Sequence, residues 1–147
     1  MSVSPLVHGP HRPADLLLRE VHVLDPRSDL DAPRDLLVRD GHIAELAEPG
    51  TLTAPTGIET LSGRGRHLLP AFFDPHVHLR SPGQEHKEDI ETGTRAAAAG
   101  GFCAVIAMPN TDPVIDSPPL LRSVREEAAQ RARVPVGFLG AITHGLE

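Results

Sequence analysis

Two rhythms of apolar and polar positions divide the chain. Up to about residue 69 the apolar residues come in short runs: Leu16-Leu17-Leu18, Val21-His22-Val23-Leu24, Leu36-Leu37-Val38 and Ile43-Ala44-Glu45-Leu46. Runs of this length between residues with turn chemistry predict strands. Asp25-Pro26-Arg27-Ser28 closes the first pair, and Asp40-Gly41 between two apolar segments predicts a tight hairpin. Pro49-Gly50 and Pro55-Thr56-Gly57 mark further loops. Residues 14–69 thus predict a small antiparallel sheet, preceded at 1–13 by a Pro- and His-rich tail without periodicity, which predicts disorder. His8 and His11 fall in that tail and read as solvated; His22, His42 and His67 read as structural or surface residues.

Near Pro70 the rhythm lengthens. A strand at 68–74 leads to a loop holding Ser81-Pro82-Gly83, then to an Ala-rich helix at 87–99 with Glu85, Glu88, Asp89 and Glu91 near its start. Gly100-Gly101 stops that helix, and the continuous apolar run 102–108 predicts a buried parallel strand. After a loop, Ser117 and Pro118 predict the cap and first turn of a helix at 120–131, and 134–143 reads as a third strand. Residues 70–147 therefore read β-α-β-α-β, an α/β arrangement suited to a (β/α)₈ barrel or a doubly wound sheet. A whole barrel takes about 250 residues, so the barrel is expected to be incomplete here, with the chain the N-terminal part of a longer enzyme.

Composition narrows the field of partners. A formal net charge of −6 argues against nucleic acid, and no apolar run approaches the roughly 20 residues of a membrane helix. The N-terminus lacks the pattern of a signal peptide. One cysteine, Cys103, excludes an internal disulfide, suits a reducing cytoplasm and sits in an apolar run that predicts burial.

The chemistry concentrates in Asp74-Pro75-His76-Val77-His78-Leu79-Arg80. In extended backbone, side chains two apart share a face, so His76 and His78 project together and Arg80 follows on the same side. Two neutral imidazoles are half of a zinc site, and a guanidinium fork matches a carboxylate. Asp74 shares the donor chemistry of a ligand, but a positioning or packing role is expected of it. His86, in a loop, is expected to be structural or solvated.

These residues resemble the longer, bacterial type of dihydroorotase within the amidohydrolase superfamily. The likeness runs through Leu69-Pro70-Ala71-Phe72-Phe73-Asp74-Pro75-His76-Val77-His78-Leu79-Arg80, the following segment 81–102, and Ala107-Met108-Pro109-Asn110-Thr111. The end, Gly140-Ala141-Ile142-Thr143-His144-Gly145-Leu146-Glu147, also fits. Ala71 stands where the family usually has glycine, and His144 where relatives often have lysine. The resemblance implies a TIM-type barrel of metal-dependent hydrolases preceded by part of a small β-sandwich. It implies that His76 and His78 bind Zn²⁺, one or two ions per full-length subunit. It further implies that Arg80 and Asn110 hold the substrate carboxylate. The implied reaction interconverts L-dihydroorotate and N-carbamoyl-L-aspartate in de novo pyrimidine (UMP) biosynthesis.

The general acid/base aspartate and the remaining metal ligands are expected beyond residue 147. The isolated chain is therefore expected to be inactive, to bind zinc weakly and to be prone to aggregation. The full-length protein is expected to be a cytoplasmic homodimer, with aspartate transcarbamoylase a possible partner. Two alternatives stand beside this reading. One is a hydantoinase, dihydropyrimidinase or allantoinase acting on neutral cyclic amides, which Arg80 and Asn110 argue against. The other is an inactive dihydroorotase-like scaffold, which the two histidines argue against.

Overall fold

A computed structural model describes residues 15–147, so the tail read at 1–13, with His8 and His11, lies outside the described residues. The chain divides at Pro70 and Ala71 into two compact units.

The first unit is one five-stranded sheet of β1 (Leu16–Asp25), β2 (Leu30–Arg39), β3 (His42–Ala47), β4 (Glu59–Ser62) and β5 (His67–Leu68). The order is β3-β2-β1-β4, with β5 also paired to β1. The first two apolar runs lie in a single strand, β1, bulged between Leu18 and Val21. The hairpin at Asp40-Gly41 forms as expected, and both residues take positive φ (49° and 73°), which a two-residue turn of this hand requires. The expectation of a purely antiparallel sheet is corrected. β4 and β5 run parallel to β1, because the chain returns through the long loop after β3 before pairing again. Leu17, Leu37 and Leu52 form its apolar core. His22, on β1, pairs with Asp31 (2.5 Å) and lies against the ring of His67 on the neighbouring β5.

Asp35 holds this unit together in a way no apolar pattern reveals. It is fully buried, and its carboxylate accepts from Arg19 Nη1 and from the backbone N–H groups of Glu20 and Gly50, each at 2.9 Å. Arg19 also donates to Leu52 O at 3.0 Å. Glu20, at the bulge, has a left-handed φ of 54°, and its N–H finds Asp35 instead of a strand partner. A buried charge with every contact satisfied is tolerable, whereas removing one partner costs about 3–5 kcal/mol.

The second unit runs β6 (Phe72–Val77), α1 (Ile90–Ala99), β7 (Phe102–Ala107), α2 (Pro118–Arg131), β8 (Val136–Phe138) and a 3₁₀ turn at His144–Leu146. Its sheet is parallel in the order β6-β7-β8. The expected strand at 68–74 breaks at Pro70, which has no N–H for a ladder. Leu68 pairs in the first unit and the barrel-type strand starts at Phe72. Both helices pack through one apolar layer: Leu79, Ile90, Val105, Ala107, Ala128, Ala132, Val134 and Val136. Cys103 is exposed, not buried as expected; it precedes the buried stretch of β7 that begins at Val105. The third strand is three residues, shorter than the expected 134–143, because its pairing ends where β7 ends, at Leu139 N to Ala107 O.

Helix α1 starts three residues later than its acidic run suggested. Asp89 caps it, accepting from Thr92 N at 2.7 Å, while the Thr92 hydroxyl lies 3.0 Å from the Asp89 N–H in a reciprocal capping box. The same carboxylate binds Arg131 at the end of α2 at 2.8 Å, and Glu91 meets Arg133, two residues past that helix, at 2.5 Å, so charge ties α1 to the C-terminal end of α2 and the segment after it. Ser117 is the N-cap of α2, as expected, although its hydroxyl makes no capping bond. Among the described residues no helix is long and apolar enough to cross a membrane.

The Asp89 carboxyl is held below the ordinary value of 3.8, first by the Thr92 N–H and then by the Thr92 hydroxyl and Arg131. A depressed folded-state value means that this stabilisation is complete above the ordinary carboxylate range and is lost as pH falls through the lower, folded value. Replacing Asp89 with Asn is expected to lower stability at neutral pH and to flatten its loss below about pH 4. Urea midpoints measured across that range check both.

Candidate functional site

The site is built where β6 and β7 end side by side. Val77 pairs with Ala107, and the ladder runs one bond further, from Met108 N to Val77 O at 2.9 Å. Val77 and Leu79 turn toward the helices and join the apolar layer. By alternation His76 and His78 turn the other way, and their rings meet edge to face with centroids 5.2 Å apart. The expected pairing of the two imidazoles is what the structure has.

Asp74 has a local role. Its Oδ1 accepts from the backbone N–H of His76 at 3.0 Å, where the pairing of β6 with β7 shifts register. That bond holds the backbone that carries the first histidine.

For Arg80 the alternation argument fails. Its φ is 63°, in the left-handed region, so the chain has left the extended form and the shared face with His76 and His78 ends at His78. The backbone turns back here, with Gln84 N donating to Arg80 O at 2.9 Å. The Arg80 side chain is half-buried, and no ion pair or hydrogen bond holds its guanidinium among the described residues.

Asn110 stands in the loop after β7, exposed, and its Oδ1 lies 2.8 Å from His78 Nδ1. The amide nitrogen makes no bond among the described residues. The two residues are 32 apart in sequence, and only the strand pairing joins them. Sequence reading assigned Asn110 to a ligand and missed this contact; nothing in a single sequence signals it.

The two loops are also braced. Asp112 N donates to Pro82 O at 3.0 Å, and Gly83, at φ +94°, packs against Asp112 so closely that a Cβ there would lie 1.8 Å from its carbonyl oxygen. The Gly83 N–H reaches both Glu85 carboxylate oxygens, at 2.8 and 2.9 Å. The backbone N–H groups of Glu85 and Gly83 hold that carboxyl below the usual carboxylate range.

His86 is exposed, in agreement with a solvated role. His144 is also exposed and lies 3.6 Å from Asp116. Among the described residues no group of three His, Cys, Asp or Glu is arranged to hold a metal. Two imidazoles that each keep a ring nitrogen unengaged among the described residues suit zinc as a donor set, but a catalytic zinc commonly has three protein ligands. The residues present fit half of such a site.

Comparison with known proteins bears on the family and the fold. The family model described as dihydro-orotase-like matches residues 65–146. The chain is 45% identical over 131 residues to a dihydroorotase of Citrifermentans bemidjiense, covering 89% of this chain and 30% of that protein. A dihydroorotase of Anaeromyxobacter sp. is 45% identical over 130 residues, with 88% and 30% covered. The chain thus spans about 30% of the length of the curated relatives it matches. Among solved structures, an L-hydantoinase (dihydropyrimidinase) from Arthrobacter aurescens superposes with a TM-score of 0.75 at 24% identity, covering 86% of this chain and 28% of that one. A D-hydantoinase follows with a TM-score of 0.69 at 26% identity, with 90% and 29% covered. These likenesses make the second unit the start of a TIM-type barrel. With the family model covering more than half of its residues, the chain belongs to the dihydroorotase-like family.

Proposed function

We propose that this chain forms part of a zinc-dependent dihydroorotase, which interconverts L-dihydroorotate and N-carbamoyl-L-aspartate in pyrimidine biosynthesis. The observation that carries the reading is the meeting of His76, His78 and Asn110 at the ends of β6 and β7. The 45% identity to curated dihydroorotases supports it. Likeness to hydantoinases is a likeness of fold at lower identity, and the substrate test below separates the two.

In this reading His76 and His78 hold the metal, with further ligands from outside residues 15–147. Bound zinc supplies an activated water at neutral pH and polarises the amide carbonyl under attack. The chain's own residues bind and orient the substrate. Arg80 offers a guanidinium that is unpaired among the described residues, and two parallel N–H donors match a carboxylate. Asn110 keeps its amide N–H groups for the same carboxylate while its oxygen is engaged with His78. Held at two points, the ring is fixed relative to the metal, and such positioning removes much of the entropic barrier. Cys103, with no partner cysteine in the chain, suits a reducing cytoplasm.

The test uses the intact, zinc-loaded protein with dihydroorotate and, as the neutral comparison, dihydrouracil. Ring opening of dihydroorotate is expected to be the faster. Arg80→Ala is expected to lower its kcat/KM by about a hundredfold or more, roughly 3 kcal/mol, with little change for dihydrouracil. A preference of the wild type for dihydrouracil would hand the protein to the hydantoinase-like reading. Failure to open either ring would make it a scaffold.

Gly83 gives an independent check on the braced loops. Gly83→Ala cannot be built without moving Asp112, and a displacement of about 1 Å at a substrate-positioning loop can cost a hundredfold in rate. The variant is expected to raise KM for dihydroorotate and to lower kcat while keeping its zinc, measured by steady-state kinetics beside metal analysis.

A further inference from the structure

The contact between His78 and Asn110 has a chemical direction. An amide oxygen accepts hydrogen bonds and cannot donate, so with Oδ1 at 2.8 Å the proton of neutral His78 sits on Nδ1. A neutral imidazole carries one proton, and its other nitrogen keeps a lone pair. Here that nitrogen is Nε2, which makes no bond among the described residues. A free imidazole chooses its tautomer from its surroundings, and a fixed partner on one nitrogen removes the choice. His76, by contrast, has no hydrogen-bonding partner on either ring nitrogen among the described residues; its ring lies edge to face against that of His78. The two histidines are therefore not equivalent, and one of them has its donor atom chosen for it.

We infer that Asn110 is a positioning residue for His78, fixing the Nδ1–H tautomer so that Nε2 presents its lone pair to a metal. The inference rests on the reading of His78 as a ligand and extends it: one amide serves two partners. Its oxygen sets the metal-binding nitrogen, and its N–H groups are left for an anion. Two features keep the amide in place. The ladder bond Met108 N to Val77 O precedes the loop, and the Asp112 N to Pro82 O bond follows Asn110 by two residues. An orienting partner of this kind typically changes metal affinity by about 10- to 100-fold.

The test has two readouts, both on the intact protein. The first is the ¹⁵N chemical shift of the His78 ring nitrogens in the metal-free protein. Wild type is expected to show a protonated Nδ1 and an unprotonated Nε2, and Asn110→Ala to lose that preference. A wild-type His78 protonated on Nε2 would mean that the amide donates instead, and would overturn the inference.

The second readout is zinc affinity, measured by competition with a chromophoric chelator. Asn110→Ala is expected to bind zinc about 10-fold or more weakly. Asn110→Asp keeps an acceptor of the same shape and is expected to retain zinc while its KM for dihydroorotate rises, because a carboxylate then faces a carboxylate. Equal zinc losses in both variants, or a loss in neither, would overturn the positioning role. If wild type binds no zinc, the dihydroorotase reading fails, and the tautomer measurement alone decides whether Asn110 sets the state of His78.

Discussion

The parallel pairing of β6 with β7 is the constraint on which the second unit depends. Parallel neighbours cannot be joined by a tight turn, so the chain crosses over through α1, and the face it crosses must be covered. Val105 and Val136 of that face pack with Leu79, with Ile90 of α1, with Ala128 of α2 and with Ala132 just after it. Each large apolar side chain buried there contributes roughly 1.5–3 kcal/mol. The pair Asp89–Arg131 joins the same helices, and Glu91–Arg133 joins α1 to the segment after α2, but both are partly solvated, and such pairs commonly contribute 1 kcal/mol or less. Apolar packing therefore decides where α1 and α2 sit. By fixing the strands it also decides that His78 meets Asn110.

The first unit solves its problem differently. Its apolar core is small, and the bulge in β1 leaves polar backbone groups inside. Asp35 satisfies them, joining the bulge, the Arg19 side chain and the loop at Gly50 through one carboxylate. A polar group of this sort specifies a single register, since a shift of one residue would bury an unpaired charge.

How much of this was legible in the residues follows from which forces are local. The hairpin at Asp40-Gly41, the stop at Gly100-Gly101 and the helix start at Ser117-Pro118 are local choices, and each stands where the sequence puts it. The histidine pair was legible for the same reason, because strand alternation is a local rule. The rule failed at its last application: Arg80 is left-handed, and no residue type there announces it. Asp35 reads in sequence as one more acid beside a strand, and its burial emerges only when β1, β2 and the loop after β3 come together. The exposure of Cys103 and the shortness of β8 were hidden too, since both depend on how far a neighbouring element extends.

The brace between the loops has a thermodynamic consequence. Ordering one residue of backbone costs about 1–2 kcal/mol, and a flexible loop that closes on a ligand takes that from the binding energy. With Gly83 seated against Asp112, the loops carrying Arg80 and Asn110 are already ordered, and the loss has been absorbed in folding. A preorganised clamp of this kind is also unforgiving. Under the proposed function it has no slack with which to follow a wider ring, so it selects by refusing to adapt.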